Sequence, residues 1–252
     1  MTRRALVTGA SRGIGRAIAL RLAAERFMVM CAGRDLAALE QTAGLISAAG
    51  GRAAVQHLDL TDAAAIAELP ERCGALEVLV ANSGVSGPTA PVWELDPEQW
   101  AQTLSVNLTA GFLMARAVLP GMIAQGSGSL VFIGSTTAAR PLPGRAAYAA
   151  SKSALVGLVR SLALDAGPFG VRVNLVSPGP TSGTRLDTVL GDQATARDVP
   201  PERIRAQFLA TSPLGRLTEP SDVADAVAFL AGDRAQAITG AELTVSSGMV
   251  MA

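Results

Sequence analysis

Residues 5–22 read ALVTGASRGIGRAIALRL, and this stretch decides the fold. Its first four residues form a short apolar run, which predicts a buried strand. Ile14, Ile18 and Leu22 then follow at intervals of four, which places them on one face of a helix over residues 13–26. The stretch therefore predicts a strand that passes through a short turn into a helix, the unit from which parallel sheets are built.

Glycine dominates the turn between this strand and this helix. Glycines allow the backbone to turn tightly and to approach a ligand closely. The helix that follows presents free backbone N–H groups and the positive end of its dipole to a phosphate. The turn is a candidate phosphate site, although an ordinary strand-to-helix turn uses the same residues. Its candidate contacts are Gly9, Ser11, Arg12, Gly13, Ile14 and Gly15.

The rest of the chain repeats the alternation of strand and helix. Strands are predicted at residues 28–32, 53–58, 78–81, 129–133, 171–176 and 242–245, and helices at 35–49, 63–69, 96–123, 146–167 and 221–231. The strands are apolar on both faces, which favours a parallel sheet covered by helices on two sides. No repeat or linker divides the chain. We therefore predict one α/β domain over residues 1–252, a three-layer, doubly wound parallel sheet.

One segment departs from this regularity. Residues 178–213 are rich in Pro, Gly, Thr and Ser, with only a modest helical pattern near residues 201–209. Long irregular segments in compact domains are usually lids or binding loops. We predict a substrate lid around residues 180–212, with an apolar lining drawn from Leu186, Val189, Leu190, Ile204, Phe208 and Leu209.

Composition limits the class of partner. Lys plus Arg and Asp plus Glu both total 21, so the formal net charge is zero and gives no reason to expect nucleic acid or an anionic membrane. The N-terminus has no apolar run long enough for a signal peptide, and we expect a soluble, cytoplasmic protein. His57 is the only histidine, and no His/Cys/Asp cluster has metal-ligand spacing, so no metal site is predicted. Cys31 and Cys73 are expected to be buried thiols.

A chemically distinctive pair lies in the helix predicted at residues 146–167. Tyr148 and Lys152 are four residues apart, so they lie on one face of the helix, one turn apart. A phenol is a poor base at neutral pH unless a nearby cation favours the phenolate. With the ammonium beside it, Tyr148 can take a proton from an alcohol or give one to a developing alkoxide. Taken alone, the spacing also suits ordinary packing and solvation.

Several motifs, in their order along nearly the whole chain, resemble the short-chain dehydrogenase/reductase family. They are the Gly-x-x-x-Gly-x-Gly turn, Asn107, Gly134-Ser135-Thr136 and Tyr-x-x-x-Lys. The resemblance implies a Rossmann fold and an NAD(P)-dependent oxidoreductase that interconverts a carbonyl and a secondary alcohol. It assigns Ser135 to polarise the carbonyl, Asn107 to hold a proton-relaying water, and Tyr148 with Lys152 to transfer the proton. It also implies a homotetramer, packed through the helices at 96–123 and 146–167.

The family's loop and lid motifs match imperfectly. Its Asn-Asn-Ala-Gly is Ala81-Asn82-Ser83-Gly84, which keeps Asn82 and Gly84 as contacts to the cofactor ribose. Pro178 and Gly179 match the segment before the lid. The threonine that usually holds the cofactor carboxamide is not at its usual spacing: Thr181 comes too early and Thr184 one residue too late. The resemblance does not choose between them.

The end of the second strand bears on the choice of cofactor. A carboxylate there would bind the ribose of NAD, whereas an arginine would pair with the 2′-phosphate of NADP. The position is Gly33, followed by Arg34, and Arg12 is a second cation. NADP is therefore favoured over NAD, and Asp35 is interpreted as the N-cap of the next helix. Asp59 and Leu60 match the family's adenine contacts, although Asp59 also suits a turn cap.

The expected activity is reduction of a small-molecule carbonyl, such as a 3-oxoacyl group, by NADPH. NAD-dependent oxidation of an alcohol, sugar or steroid is the alternative within the same chemistry. A non-catalytic dinucleotide sensor or scaffold is the alternative of another class, and the retained Tyr148 and Lys152 disfavour it. Epimerases and dehydratases on this fold tend to be longer. The substrate itself is not predicted.

Overall fold

A computed structural model describes residues 3–251 of the chain. Its centre is one parallel sheet of seven strands in the order β3-β2-β1-β4-β5-β6-β7. The strands are β1 Arg4–Thr8, β2 Met28–Gly33, β3 Arg52–His57, β4 Val78–Ala81, β5 Gly128–Ile133, β6 Val171–Pro178 and β7 Glu242–Val245. All six strand pairs are parallel. The predicted doubly wound sheet is confirmed.

Within residues 3–251, ten α-helices connect the strands. They are α1 Gly13–Ala24, α2 Leu36–Ala48, α3 Ala63–Ala67, α4 Leu69–Cys73, α5 Pro97–Leu104, α6 Ala110–Gln125, α7 Ala146–Ala166, α8 Thr184–Arg197, α9 Pro201–Ala210 and α10 Pro220–Ala231. A π-helical segment, Ser105–Thr109, joins α5 to α6. The helix predicted at residues 63–69 is thus two short helices, α3 and α4, and the other predicted helices outside the lid shift by a few residues at their ends.

Two apolar layers hold the helices against the sheet. On one face, α1, α2 and α10 supply buried side chains such as Ile18, Ile46 and Val227. On the other face, α6 and α7 supply Met114 and Leu155, among others. The central strands are buried on both sides, which explains why their sequences are continuously apolar instead of alternating.

The long helical run Pro97–Gln125 is apolar enough, by length and composition, to cross a membrane. Here one side of it packs on the sheet through Ala110, Met114, Val118 and Met122. Core helices of globular proteins share this composition.

The prediction that residues 178–213 are mostly irregular is wrong, whereas their role as a lid stays a prediction. Residues 184–197 and 201–210 form the helices α8 and α9. Leu186, Leu190 and Ala194 recur every four residues in α8, and they pack with Ile204 of α9 and Met249 in a separate small core. The leucines predicted to line the substrate cavity therefore stabilise the lid itself. Small and polar residues separate these apolar positions, so the helical periodicity is weak in the sequence.

From β1 the sheet extends through β2 and β3 on one side, and from β4 it extends through β5, β6 and β7 on the other, so the strand order reverses between β1 and β4. In doubly wound sheets, ligands bind in the crevice at the carboxyl ends of the strands where this reversal occurs. The glycine turn follows β1 and the Asn82–Gly84 segment follows β4, so both lie at this crevice. Ser135, which follows β5, lies at the same end of the sheet.

Candidate active site

Tyr148 and Lys152 lie in the first two turns of α7, as predicted. The Lys152 side chain is buried, and its Nζ donates a hydrogen bond of 2.7 Å to the carbonyl oxygen of Ile133 at the end of β5. The same Nζ lies 5.9 Å from the centre of the half-buried Tyr148 ring. Each residue is the only one of its type in the chain, in which the other 20 basic residues are all arginine.

Burial controls the charge of Lys152. Removal from water penalises the ammonium and lowers the pKa of Lys152 to about 7, and the positive charge of Arg185 acts in the same direction. Among residues 3–251, no carboxylate lies within ion-pair distance of its Nζ. Lys152 can therefore exchange a proton near neutral pH, which a solvated lysine cannot do.

Ser135 follows β5 directly and caps a short 3₁₀ turn, Thr136–Ala138. Its Oγ accepts a hydrogen bond from the backbone N–H of Thr137 and donates one to the Thr137 hydroxyl, both at 3.1 Å. This turn packs against α7, where the Ser153 hydroxyl donates to the carbonyl oxygen of Ala138. Ser135 is thus held by the same strand end to which Lys152 is bonded.

Asn107 lies in the π-helical segment that joins α5 to α6. Its Oδ1 accepts from the N–H of Val85 at 2.8 Å, and its Nδ2 donates to the carbonyl oxygen of Val85 and to the Ser151 hydroxyl, both at 3.0 Å. The side chain therefore ties the loop after β4 to α7. A Cβ on Gly84 would lie 2.9 Å from Asn107 Oδ1 and 3.6 Å from Lys152 Nζ, so only glycine fits this loop.

The glycine turn has the geometry of a phosphate cradle. A Cβ on Gly15 would lie 2.0 Å from the carbonyl oxygen of Gly9, and Gly9 itself has a φ of +66°. No side chain caps the N-terminus of α1, whose first helical bond runs from Arg16 N–H to the carbonyl oxygen of Arg12. The first-turn N–H groups are thus available to an anion. Asn82 braces the turn by donating to the carbonyl oxygen of Thr8 at 2.8 Å.

Arg34 follows the end of β2, and the carboxylates of Asp35 and Asp59 in this region both accept hydrogen bonds from the backbone. Asp35 caps α2 by accepting from Ala38 N–H at 3.1 Å, as predicted. Asp59 accepts from the N–H and hydroxyl of Thr61 at 2.9 and 2.8 Å, and these bonds hold the pKa of Asp59 below its ordinary value. The charge of exposed Arg34 contributes to that lowering, so it lies near Asp59. Leu60 packs partly into the core beneath.

The two candidate threonines occupy different environments. Gly179 lies so close to Ser246 that a Cβ added to Gly179 would be 2.8 Å from the Cβ of Ser246. Thr181 donates its hydroxyl to the carbonyl oxygen of Gly179 at 2.9 Å and pairs with Thr218 in a single β-bridge. Thr184 is exposed at the first residue of α8. Of the two, Thr181 lies closer to the strand end, two residues after Gly179.

A cavity of about 630 Å³ opens beside this constellation. Its walls come from the loop after β4, the loop before α7, and the lid helix α8. Trp93 lines it and is 81% exposed. His57 is exposed at the end of β3, away from this cavity.

Sequence reasoning missed two arginines at the site. Arg145 is buried three residues before Tyr148, and its guanidinium carbon lies 5.0 Å from the centre of the Tyr148 ring. Arg185, at the start of α8, donates to the carbonyl oxygen of Gly84. A charged residue within one helical turn of Tyr148 was the available signal for Arg145. No sequence signal pointed to Arg185.

Comparisons with known proteins show which family this chain is similar to. A family model described as enoyl-(acyl carrier protein) reductase matches residues 9–250. The chain is 38% identical to 2-(S)-hydroxypropyl-CoM dehydrogenase 3 of Xanthobacter autotrophicus, over 96% of this chain and 94% of that protein. It is 35% identical to the 3-oxoacyl-(acyl-carrier-protein) reductase FabG of Staphylococcus aureus, over 100% of this chain and 99% of that protein.

Solved structures give the same result. An NAD⁺-bound xylitol dehydrogenase superposes with a TM-score of 0.93 at 30% identity, covering 98% of both chains. An actinorhodin polyketide ketoreductase with NADPH also superposes with a TM-score of 0.93, at 34% identity, over 98% of this chain and 97% of that one. Both oxidised NAD and reduced NADP are thus found in neighbours of this fold.

Proposed function

Because this chain belongs to the short-chain dehydrogenase/reductase family of NAD(P)-dependent oxidoreductases, we propose that it reduces a ketone to a secondary alcohol with NADPH. One observation carries the proposal. The only tyrosine and the only lysine of the chain lie one helical turn apart at the ligand crevice, with the lysine buried and bonded to the strand end that positions Ser135.

The proposed chemistry divides between three side chains. The Ser135 and Tyr148 hydroxyls donate hydrogen bonds to the carbonyl oxygen, which polarises the carbonyl and stabilises negative charge as it develops there. When bound, the dihydronicotinamide ring supplies the hydride. Tyr148 then gives its proton to the alkoxide oxygen. In the reverse direction, Tyr148 takes that proton from the alcohol.

Lys152 and Asn107 support Tyr148. The pKa of about 7 lets Lys152 carry or release a proton at neutral pH, so the ammonium can stabilise a phenolate after transfer. The hydrogen bonds of the Asn107 amide already engage Val85 and Ser151. We therefore assign its side chain to positioning the loop after β4 against α7.

We propose NADP as the preferred cofactor. The glycine turn would hold the pyrophosphate, Asn82 and Gly84 the ribose, and the segment from Pro178 to Thr181 the carboxamide side. Arg12 and Arg34, both exposed, supply positive charge for a 2′-phosphate. The carboxylate of Asp35, which would otherwise favour NAD, is committed to capping α2.

The similar proteins include reductases and dehydrogenases. FabG is named for reduction of 3-oxoacyl groups, whereas xylitol dehydrogenase is named for oxidation of a sugar alcohol and holds NAD⁺. We propose reduction as the working direction because the cationic end of β2 favours NADP. Oxidation of an alcohol with NAD is the second candidate, and it uses the same side chains in reverse.

We also propose that the protein is a cytoplasmic homotetramer with no nucleic-acid or membrane partner. Phe112 of α6 is 45% exposed and Leu164 of α7 is 79% exposed. Large apolar side chains exposed on neighbouring helices are a feature of subunit interfaces. Sedimentation of the purified protein at two concentrations tests the assembly.

The activity is tested by following NADPH absorbance with a panel of carbonyl compounds, including a 3-oxoacyl thioester, cyclic ketones and a ketose. The proposal predicts oxidation of NADPH that depends on at least one of these compounds and produces its alcohol. Turnover of alcohols with NAD alone, with no carbonyl reduced by NADPH, would favour the second candidate instead.

A further inference from the structure

Arg145 is a buried cation that forms no ion pair within residues 3–251. The residue is 4% exposed, at the N-terminal boundary of α7. Its single hydrogen bond is a long one, 3.3 Å, from Nη1 to the Thr89 hydroxyl. Within the described part of the chain, no carboxylate lies within ion-pair distance of its guanidinium. The remaining donors of a buried arginine must be satisfied by water or by a ligand, and here they are available to either.

The unused donors of Arg145 face a cavity that can hold such a ligand. Among residues 3–251, the only sealed polar side-chain atom without a partner is Nε of Arg21, so the unbonded nitrogens of Arg145 are reachable from solvent. Arg145 lines the 630 Å³ cavity, and the residues around it are mostly apolar, including Ala90, Pro143 and Trp93. An apolar cavity with one buried cation suits a small molecule with an apolar body and one anionic group.

The position of Arg145 relative to Tyr148 fixes where that anionic group would be. The guanidinium carbon is 5.0 Å from the centre of the Tyr148 ring, and Arg145 and Ala149, which precede and follow Tyr148 in α7 and its N-terminal boundary, both line the cavity. The planar fork of arginine matches the two oxygens of a carboxylate. Burial lowers the pKa of Arg145, and the nearby Tyr148 and Asp192 only partly oppose that lowering.

We propose that Arg145 binds a carboxylate of the substrate, so that the protein acts on oxo acids or hydroxy acids in which a short apolar spacer separates the carboxylate from the reacting carbon. This inference rests on the proposed function, in which Tyr148 protonates the carbonyl oxygen. Arg145 is then the residue that selects a free acid over the neutral ester or thioester of the same skeleton.

Matched substrate pairs test the inference. Straight-chain 3-, 4- and 5-oxo acids and a cyclic oxo acid are each compared with their methyl esters as substrates with NADPH. Loss of a charge-assisted hydrogen bond corresponds to a factor of about 10 to 150. We expect kcat/KM for at least one acid to exceed that of its ester by about this factor. Equal or higher kcat/KM for every ester would overturn the assignment.

The substitution Arg145→Gln should collapse the acid-to-ester ratio of kcat/KM to about one, and Arg145→Lys should keep part of it. Arg52→Gln, which removes an exposed arginine on the edge strand β3, is the charge-matched control and should keep the wild-type ratio. An equal fall for acid and ester in Arg145→Gln would mean that Arg145 only supports Tyr148, and would overturn the proposal.

Binding separates this inference from the proposed activity. Calorimetry measures binding of 4-oxopentanoate and of its methyl ester to the NADPH-loaded protein. Tighter binding of the acid by wild type, lost in Arg145→Gln, supports the carboxylate site even if no ketone is reduced, in which case the reductase proposal alone has failed. No preference for the acid in binding overturns the carboxylate site, whether or not neutral ketones are reduced.

Discussion

The most quantitative prediction concerns Lys152 and the pH dependence of stability. In the folded protein its pKa falls from 10.5 to about 7. The unfolded chain therefore binds more protons than the folded protein between these values, so the free energy of unfolding rises with pH across that window. At lower pH both states hold the proton, and the contribution of Lys152 is constant.

The size of this effect follows from the two pKa values. A drop from 10.5 to about 7 corresponds to a limiting change of about 5 kcal/mol once both states are deprotonated. Between about pH 7 and about pH 9, the free energy of unfolding should rise by about 2 kcal/mol through this group alone. The substitution Lys152→Met removes the titrating amine while keeping an unbranched side chain, so this part of the rise should disappear.

The assay is urea unfolding of wild type and Lys152→Met at both pH values, at one fixed protomer concentration and without cofactor. Burial also raises the pKa of Cys31 and Cys73, each to about 11, which lowers stability as pH rises, but both proteins share these thiols. The difference between the two proteins therefore isolates Lys152. A difference that stays constant within about 0.5 kcal/mol from pH 7 to pH 9 would refute a buried, neutralised lysine.

Two further predictions concern the cofactor site. Arg34→Ala should weaken binding of NADPH by about 10- to 150-fold, because a charge-assisted hydrogen bond to the 2′-phosphate is lost. The affinity for NADH should stay within a few-fold of wild type. Equal loss of affinity for both nucleotides in a fluorescence titration would show that Arg34 does not recognise the 2′-phosphate. Gly15→Ala places a Cβ 2.0 Å from the carbonyl oxygen of Gly9. It should lower the free energy of unfolding, measured in urea, by about 1–3 kcal/mol. Unchanged stability and NADPH affinity would show that the backbone of the turn can shift to accept a side chain.

The parts of the fold that local sequence encodes were predicted well. Strand–turn–helix units follow from apolar runs and periodicity, and the capping role of Asp35 follows from its place before an amphipathic helix. Tyr148 and Lys152 were recognisable because one helical turn suffices to bring them together. A further signal in the sequence is that Lys152 is the only lysine among 21 Lys and Arg residues.

The helices α8 and α9 and the burial of Arg145 depend on contacts between residues that are far apart in sequence. The helices α8 and α9 are stabilised by Leu217 and Met249, which lie outside the lid in sequence, so their apolar positions carried little weight alone. The burial of Arg145 is likewise created by the loop after β4 and by α8, which meet only in the folded chain. The place of Arg145 within one helical turn of Tyr148 was a local signal, but it did not show that the side chain is buried.

That Tyr148 supplies the proton is tested most directly by single-turnover reduction of a ketone by the Tyr148→Phe variant loaded with NADPH. The variant should fold and bind NADPH with wild-type affinity, since only one hydroxyl is removed, while the rate of NADPH oxidation should fall by about 10²- to 10⁴-fold. Oxidation of NADPH at a rate within a few-fold of wild type would contradict the assignment of Tyr148 as the proton donor.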